Sequence, residues 1–120
     1  MVEVVFHRDS RGRLSSIFAD GHAEFAGQGE DVVCAAVSAI LQAARLGLEE
    51  YAGIALEARQ RHGRFTLSWP PEDRDDERVR AIAATAELSI RRIAEQFPEH
   101  VRCTSLGEPP APRNTPDEAG

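Results

Sequence analysis

Only two cysteines, one tryptophan and one tyrosine occur among the 120 residues, and no C-x-x-C or H-E-x-x-H pair is present. The scarcity of cysteine excludes a disulfide framework, leaving at most a single Cys34–Cys103 bridge open. The missing ligand pairs, with His7, His22, His62 and His100 on separate predicted elements, exclude the usual zinc spacings, so no metal site is expected. No apolar run approaches membrane-spanning length. Met1 to Phe6 carries an early acid and no small-residue cleavage site, unlike a signal peptide. Thiols without an export signal point to a reducing compartment, and cytoplasmic residence is expected. Clustered basic charge is lacking too: the formal net charge is -6, the pI is near 5.2, and arginines are scattered among acids. That balance argues against nucleic acid and against a basic membrane-surface helix, and it suits a neutral or basic peptide partner.

What is present fits one modest core, since 42% of the residues are hydrophobic. Val2 to His7 is β-branched and apolar, Arg8 to Gly12 has turn composition, and Leu14 to Asp20 completes a first hairpin. Gly21 to Asp31 contains Gly21, Gly27 and Gly29 with few anchoring hydrophobics, which predicts a mobile loop of the kind that often carries function. From Asp31, Val32, Val33, Val37, Ile40, Leu41, Ala44 and Leu48 recur at steps of three and four, predicting an amphipathic helix that ends at Gly47 or Gly53. Ile54 to Ala58 and Arg64 to Trp69 read as strands around an Arg61-His62-Gly63 turn. Asp75-Asp76-Glu77 opens a second helix with the apolar stripe Val79, Ile82, Ala83, Ala86, Ile90, Ile93 and Ala94, stopped by Pro98. Val101 to Ser105 is a last strand. The expected fold class is α+β, a mostly antiparallel four- to five-stranded sheet with two long helices packed on it. Residues 1–106 form the single domain, and 107–120, with Pro109, Pro110, Pro112 and Pro116, is a proline-rich tail expected to be disordered.

The chemistry concentrates at the start of the first helix. With Asp31 as N-cap, Cys34 stands where unsatisfied backbone N–H groups and the positive end of the helix dipole favour a thiolate, against the like charge of Glu30 and Asp31. His22 lies on the preceding glycine-flanked loop, which can fold back to the helix end as a base. Ser38 follows Cys34 by one turn on the same helical face, and Asp31 is an alternative orienter for His22. Taken singly, Cys34 reads as a small core hydrophobe, His22 as a surface histidine, Ser38 as a helix residue bonded to its own turn, and Asp31 as a cap.

The strings Gly21-His22-Ala23 and Gly29-Glu30-Asp31-Val32-Val33-Cys34-Ala35-Ala36-Val37-Ser38-Ala39 resemble the signature of the ribosomal-processing cysteine protease family, Prp. Its pattern is a Gly-His dipeptide, a glycine-containing loop, and a helix start Asp-Ile/Val-Val-Cys-Ala followed by serine. Ile93 to Val101 is similar to the family's closing helix and strand. The resemblance implies a cysteine endopeptidase that removes the N-terminal extension of a large-subunit ribosomal protein (number 27), working as a homodimer without a cofactor. It implies His22 and Cys34 as catalytic residues, Asp31 and Ser38 as supporting residues, and Gly21, Gly27 and Gly29 in a loop over the substrate. The non-enzymatic alternative is a catalytically inactive dimeric ribosome-associated binding module that keeps the fold.

Overall fold

A computed structural model describes residues 1–21 and 31–107, the side chain of Asp31 excepted. Strand β1 (Val2–Arg8) pairs antiparallel with β2 (Leu14–Asp20), in a register that sets Val4 opposite Ala19 and Phe6 opposite Ile17. After the helix α1 (Asp31–Leu46), strands β3 (Glu57–Arg61) and β4 (Arg64–Ser68) add to the free side of β2. Helix α2 (Glu77–Gln96) then leads to β5 (Val101–Gly107), which pairs with β1 in parallel. The sheet order is β3-β4-β2-β1-β5, so the expected α+β class and mostly antiparallel sheet are found, with β1–β5 as the parallel exception.

Period-two alternation explains why one face is covered. Val2, Val4 and Phe6 of β1, Ile17 and Ala19 of β2, and Phe65 and Leu67 of β4 are all fully buried beneath the helices. Val33, Val37, Leu41, Ala44 and Leu48 answer them from α1 and its continuation, and Val79, Ala83, Ala86 and Ile90 from α2. The two helices run side by side in opposite directions. Gly47 at the end of α1 lies so close to Ile82 near the start of α2 that an added Cβ would stand 3.1 Å from the Ile82 Cδ1.

Three details depart from the sequence reading. Ile54 to Ala58 is not the third strand. The two-residue turn His62–Gly63, with φ of 50° and 76°, pairs Arg61 with Arg64 and so makes the residues just before it, Glu57–Arg61, the strand. Ile54 and Leu56 pack against the core as a connector after Gly53, whose φ is 63°. Secondly, the helical run continues beyond Leu46 as a π-helical turn, Gly47–Tyr51, closed by the Ala52 N–H donating to the Gly47 carbonyl at 2.9 Å, and stops at Gly53, the later of the two expected glycine ends. Thirdly, Val32–Tyr51 is long and apolar enough by composition to cross a membrane, although no such run stood out in the sequence. Its buried stripe against the sheet makes it a core helix. Residues 108–120, the tail expected to be disordered, lie outside the described residues.

Two buried carboxylates tie the end of the sheet down, Glu87 to α2 and Asp9 to the segment that precedes it. Asp9 accepts from the backbone N–H of Arg11 and of Arg13, and from the guanidinium groups of Arg13 and Arg74, all at 2.9–3.0 Å. Glu87 of α2 accepts a two-pronged pair from Arg8 at 2.9 Å and a hydroxyl from Ser105 at 2.6 Å. Burial pushes the Asp9 carboxyl up, but the hydrogen bonds from Arg13, Arg74 and Arg11 outweigh it and hold the group below the usual carboxylate range. Burial also opposes ionisation of Glu87, and Arg8, Ser105 and Arg91 likewise win there.

Because both groups hold depressed values in the folded state, the stability they contribute is present above the unfolded carboxylate range, about pH 4, and is lost as pH falls through their folded values. Urea unfolding midpoints should therefore fall steeply below about pH 4. Asp9→Asn should lower the midpoint at pH 7 and flatten that acid limb. A wild-type midpoint that stays unchanged down to about pH 3 would contradict the assignment.

Candidate active site

Helix α1 begins at Asp31 itself, one residue earlier than a cap at that position implies, and Cys34 still falls within the first turn. The local sequence sets its environment. Val33 points inward and is buried, Val32 points outward and is 73% exposed, and Cys34 lies between them, half-buried at the rim of the core. The amides that open a helix lack an acceptor within it, so those of residues 31–33 point toward whatever meets the helix end. Ser38, one turn on, is also half-buried on α1, which brings it to the same side as Cys34.

Gly21 fixes how the chain reaches that helix. β2 ends at Asp20, and the Gly21 N–H then donates to the Gly63 carbonyl at 3.0 Å, tying the strand end to the β3–β4 turn. Its φ is +87°, and a Cβ added there would stand 2.6 Å from the Met1 carbonyl oxygen. Glycine is therefore required at this position both by conformation and by close approach. The residue after it is His22. His22, Gly27, Gly29 and the Asp31 side chain lie outside the described residues, so of the expected site the structure places Gly21, Cys34 and Ser38.

The second thiol has a different character. Cys34 and Cys103 are not joined in a disulfide. Cys103 sits on β5 beside Val4 and packs against the core, and burial pushes its pKa up to about 11. A thiol held protonated in this way is a poor nucleophile. Among the described residues no group of three or more histidine, cysteine or carboxylate side chains is placed to hold a metal ion. The roles of Gly63 and Met1 had no signal in the sequence, because each acts through a backbone carbonyl that any residue would supply.

A family model described as cysteine protease Prp matches residues 1–102. Among solved structures, the chain is 28% identical to SMU.848 from Streptococcus mutans, with a TM-score of 0.78 over 90% of this chain and 96% of that one. It is 23% identical to an essential ribosomal processing protease Prp from S. aureus in complex with a covalently linked product peptide, with a TM-score of 0.77 over 88% and 99% of the two chains. The same protease with a substrate peptide gives 22% identity and a TM-score of 0.69. At these identities the S. aureus structures establish the shared fold. No curated protein matches the chain.

Gly21→Ala should destabilise the fold by roughly 1–3 kcal/mol, because it combines a left-handed φ with a backbone clash. Gly12→Ala is the control: its φ is +81°, yet a Cβ there meets nothing within 4 Å, so only the conformational cost of about 1 kcal/mol remains. Equal urea midpoints for the two variants would show that the Met1 contact contributes nothing.

Proposed function

The chain belongs to the cysteine protease Prp family, and on that premise we propose that Cys34 is the nucleophile and His22 the general base of an endopeptidase acting on the N-terminal extension of a large-subunit ribosomal protein (number 27). The observation that carries this reading is the seat of Cys34 in the first turn of α1, half-buried at the edge of the core. The S. aureus protease supports the substrate class, since its structures hold a substrate peptide and a covalently linked product peptide.

The chemistry follows from the residue types. His22 takes the Cys34 proton, and the sulfur attacks the scissile carbonyl carbon. The oxyanion that forms is stabilised by amides of the first turn of α1, where the helix dipole adds to their effect. Collapse of this intermediate breaks the C–N bond as His22 returns its proton to the departing amine. Water, deprotonated by the same imidazole, then attacks the thioester and releases the new carboxylate and the thiol. No cofactor takes part. Asp31 and Ser38 support the pair, Asp31 at the helix start and Ser38 one turn deeper. Gly27 and Gly29 belong to the substrate-facing segment in this reading, with Gly21 as its anchored start. The enzyme works as a homodimer in the cytoplasm, with an acidic net charge suited to a basic ribosomal peptide.

The purified chain should cut the extension peptide at one bond, read by mass spectrometry. Cys34→Ala and His22→Ala should each lower kcat/KM by at least about 10³-fold with the melting temperature little changed. Cutting by Cys34→Ala at the wild-type rate would overturn the assignment of the nucleophile. A wild type that binds the peptide without cutting it would mark the chain as a binding module.

A further inference from the structure

The end of the sheet where β1 turns into β2 contains a cavity of about 330 Å³, formed by the β1–β2 hairpin, the segment following β4 and the first turns of α2. Gly21, Cys34 and Ser38 are not among the residues that line it, so it is separate from the proposed peptidase centre. Its apolar wall is Leu14, Val79 and Ala83, of which Val79 and Ala83 belong to the buried core. Its polar wall is arginine: Arg8, Arg11, Arg13, Arg74 and Arg80 all line it, against the single carboxylate of Asp75.

These cations are partly built in place. Asp9 fixes Arg13 and Arg74 at 3.0 Å, the Trp69 carbonyl accepts from Arg74 Nε and Nη2 at 3.0 and 2.9 Å, and Glu87 holds Arg8. Arg11 and Arg80 are exposed and make no ion pair among the described residues. Of the five arginines, Arg8, Arg13 and Arg74 are paired with Glu87, Asp9 and Asp75, which leaves the guanidinium groups of Arg11 and Arg80 outside any ion pair among the described residues. Trp69 also lines the cavity. It is 2% exposed, and its Nε1 is the one buried side-chain polar atom without a partner among the described residues.

We propose that this cavity binds a small phosphorylated ligand of nucleotide size. Arg11 and Arg80 hold its phosphate beside the fixed Arg13 and Arg74, and its less polar body lies against Leu14 and Ala84. The charge decides for phosphate: a phosphate monoester carries about two negative charges near neutral pH and several acceptor oxygens, whereas a carboxylate offsets only one cation. The volume decides for a small ligand, since about 300 Å³ is the lower end of pockets that enclose one. The same phosphate chemistry on an RNA backbone suits this site less well, because the acidic net charge of the chain opposes a polyanion.

Trp69 is the only tryptophan and lines this cavity as well as a neighbouring one beside Glu57 and Pro70, so its fluorescence reports binding at this end of the sheet and the substitutions below assign it to the arginine cavity. The full-length chain is titrated with adenosine monophosphate, with inorganic phosphate and with a short oligoribonucleotide, and heats of binding are measured in parallel. Adenosine monophosphate should give a saturable change, inorganic phosphate a weaker one, and the oligoribonucleotide no tighter binding than the mononucleotide. Arg11→Ala with Arg80→Ala should weaken the mononucleotide at least about tenfold, with the melting temperature little changed because both side chains are exposed. No saturable signal at millimolar mononucleotide would overturn the proposal, as would affinity that survives the double substitution. Tighter binding of the oligoribonucleotide would assign the phosphate to RNA and also overturn it.

Discussion

The position of Cys34, the proposed nucleophile, depends on how α1 is pressed onto the sheet. Val37, Leu41 and Leu48 are fully buried, and burying each such side chain contributes about 1.5–3 kcal/mol. Together with Val33 and Ala44 they fix the rotation of the helix about its own axis, because turning the stripe away would expose all of them at once. Once the rotation is fixed, Cys34 must stand at the rim between buried Val33 and exposed Val32. The nucleophilic role proposed for Cys34 depends on its place at the helix start and not on depth alone, since Cys103 is also only half-buried and is held protonated by its surroundings on β5.

The two ends of the sheet are held by different physics. At the end where β2 finishes, the constraints are backbone ones: Gly21 to Gly63, Gly21 against Met1, and the Val2 N–H on the His100 carbonyl at 2.8 Å. At the other end the ties are ionic, with Asp9 and Glu87 gathering arginines from the hairpin, from the segment after β4 and from α2. Pairs of this kind, once buried, are costly to break from one side. The opposite end instead relies on glycine, since Gly21 alone tolerates both the left-handed φ and the approach to Met1.

Much of this was legible in the residues, for identifiable reasons. The helices announced themselves through apolar steps of three and four, and β1, β2 and β4 through alternation, because each buries one face only. β3 was misplaced because Glu57–Arg61 is a polar edge strand, set by its turn and not by hydrophobic pattern. The parallel pairing of β5 with β1 had no local signal, since it joins the first and last strands of the domain. Of the site, Cys34 and Ser38 were readable as helix positions, while the requirement for Gly21 came from Met1 and Gly63, distant in sequence. The arginine cavity was invisible for the same reason: its walls come from residues 8–14, 69–75 and 79–84, and scattered arginines look like ordinary surface charge.

Alkylation of the two thiols in one full-length protein tests the central claim most directly, because Cys103 serves as an internal control. With limiting iodoacetamide at pH 7, peptide mapping should show Cys34 modified at least about tenfold faster than an unstructured thiol, Cys103 essentially untouched, and the Cys34 advantage reduced in His22→Ala. A Cys34 that reacts no faster than the unstructured thiol, or that is indifferent to His22, would contradict the account of an activated nucleophile at the start of α1.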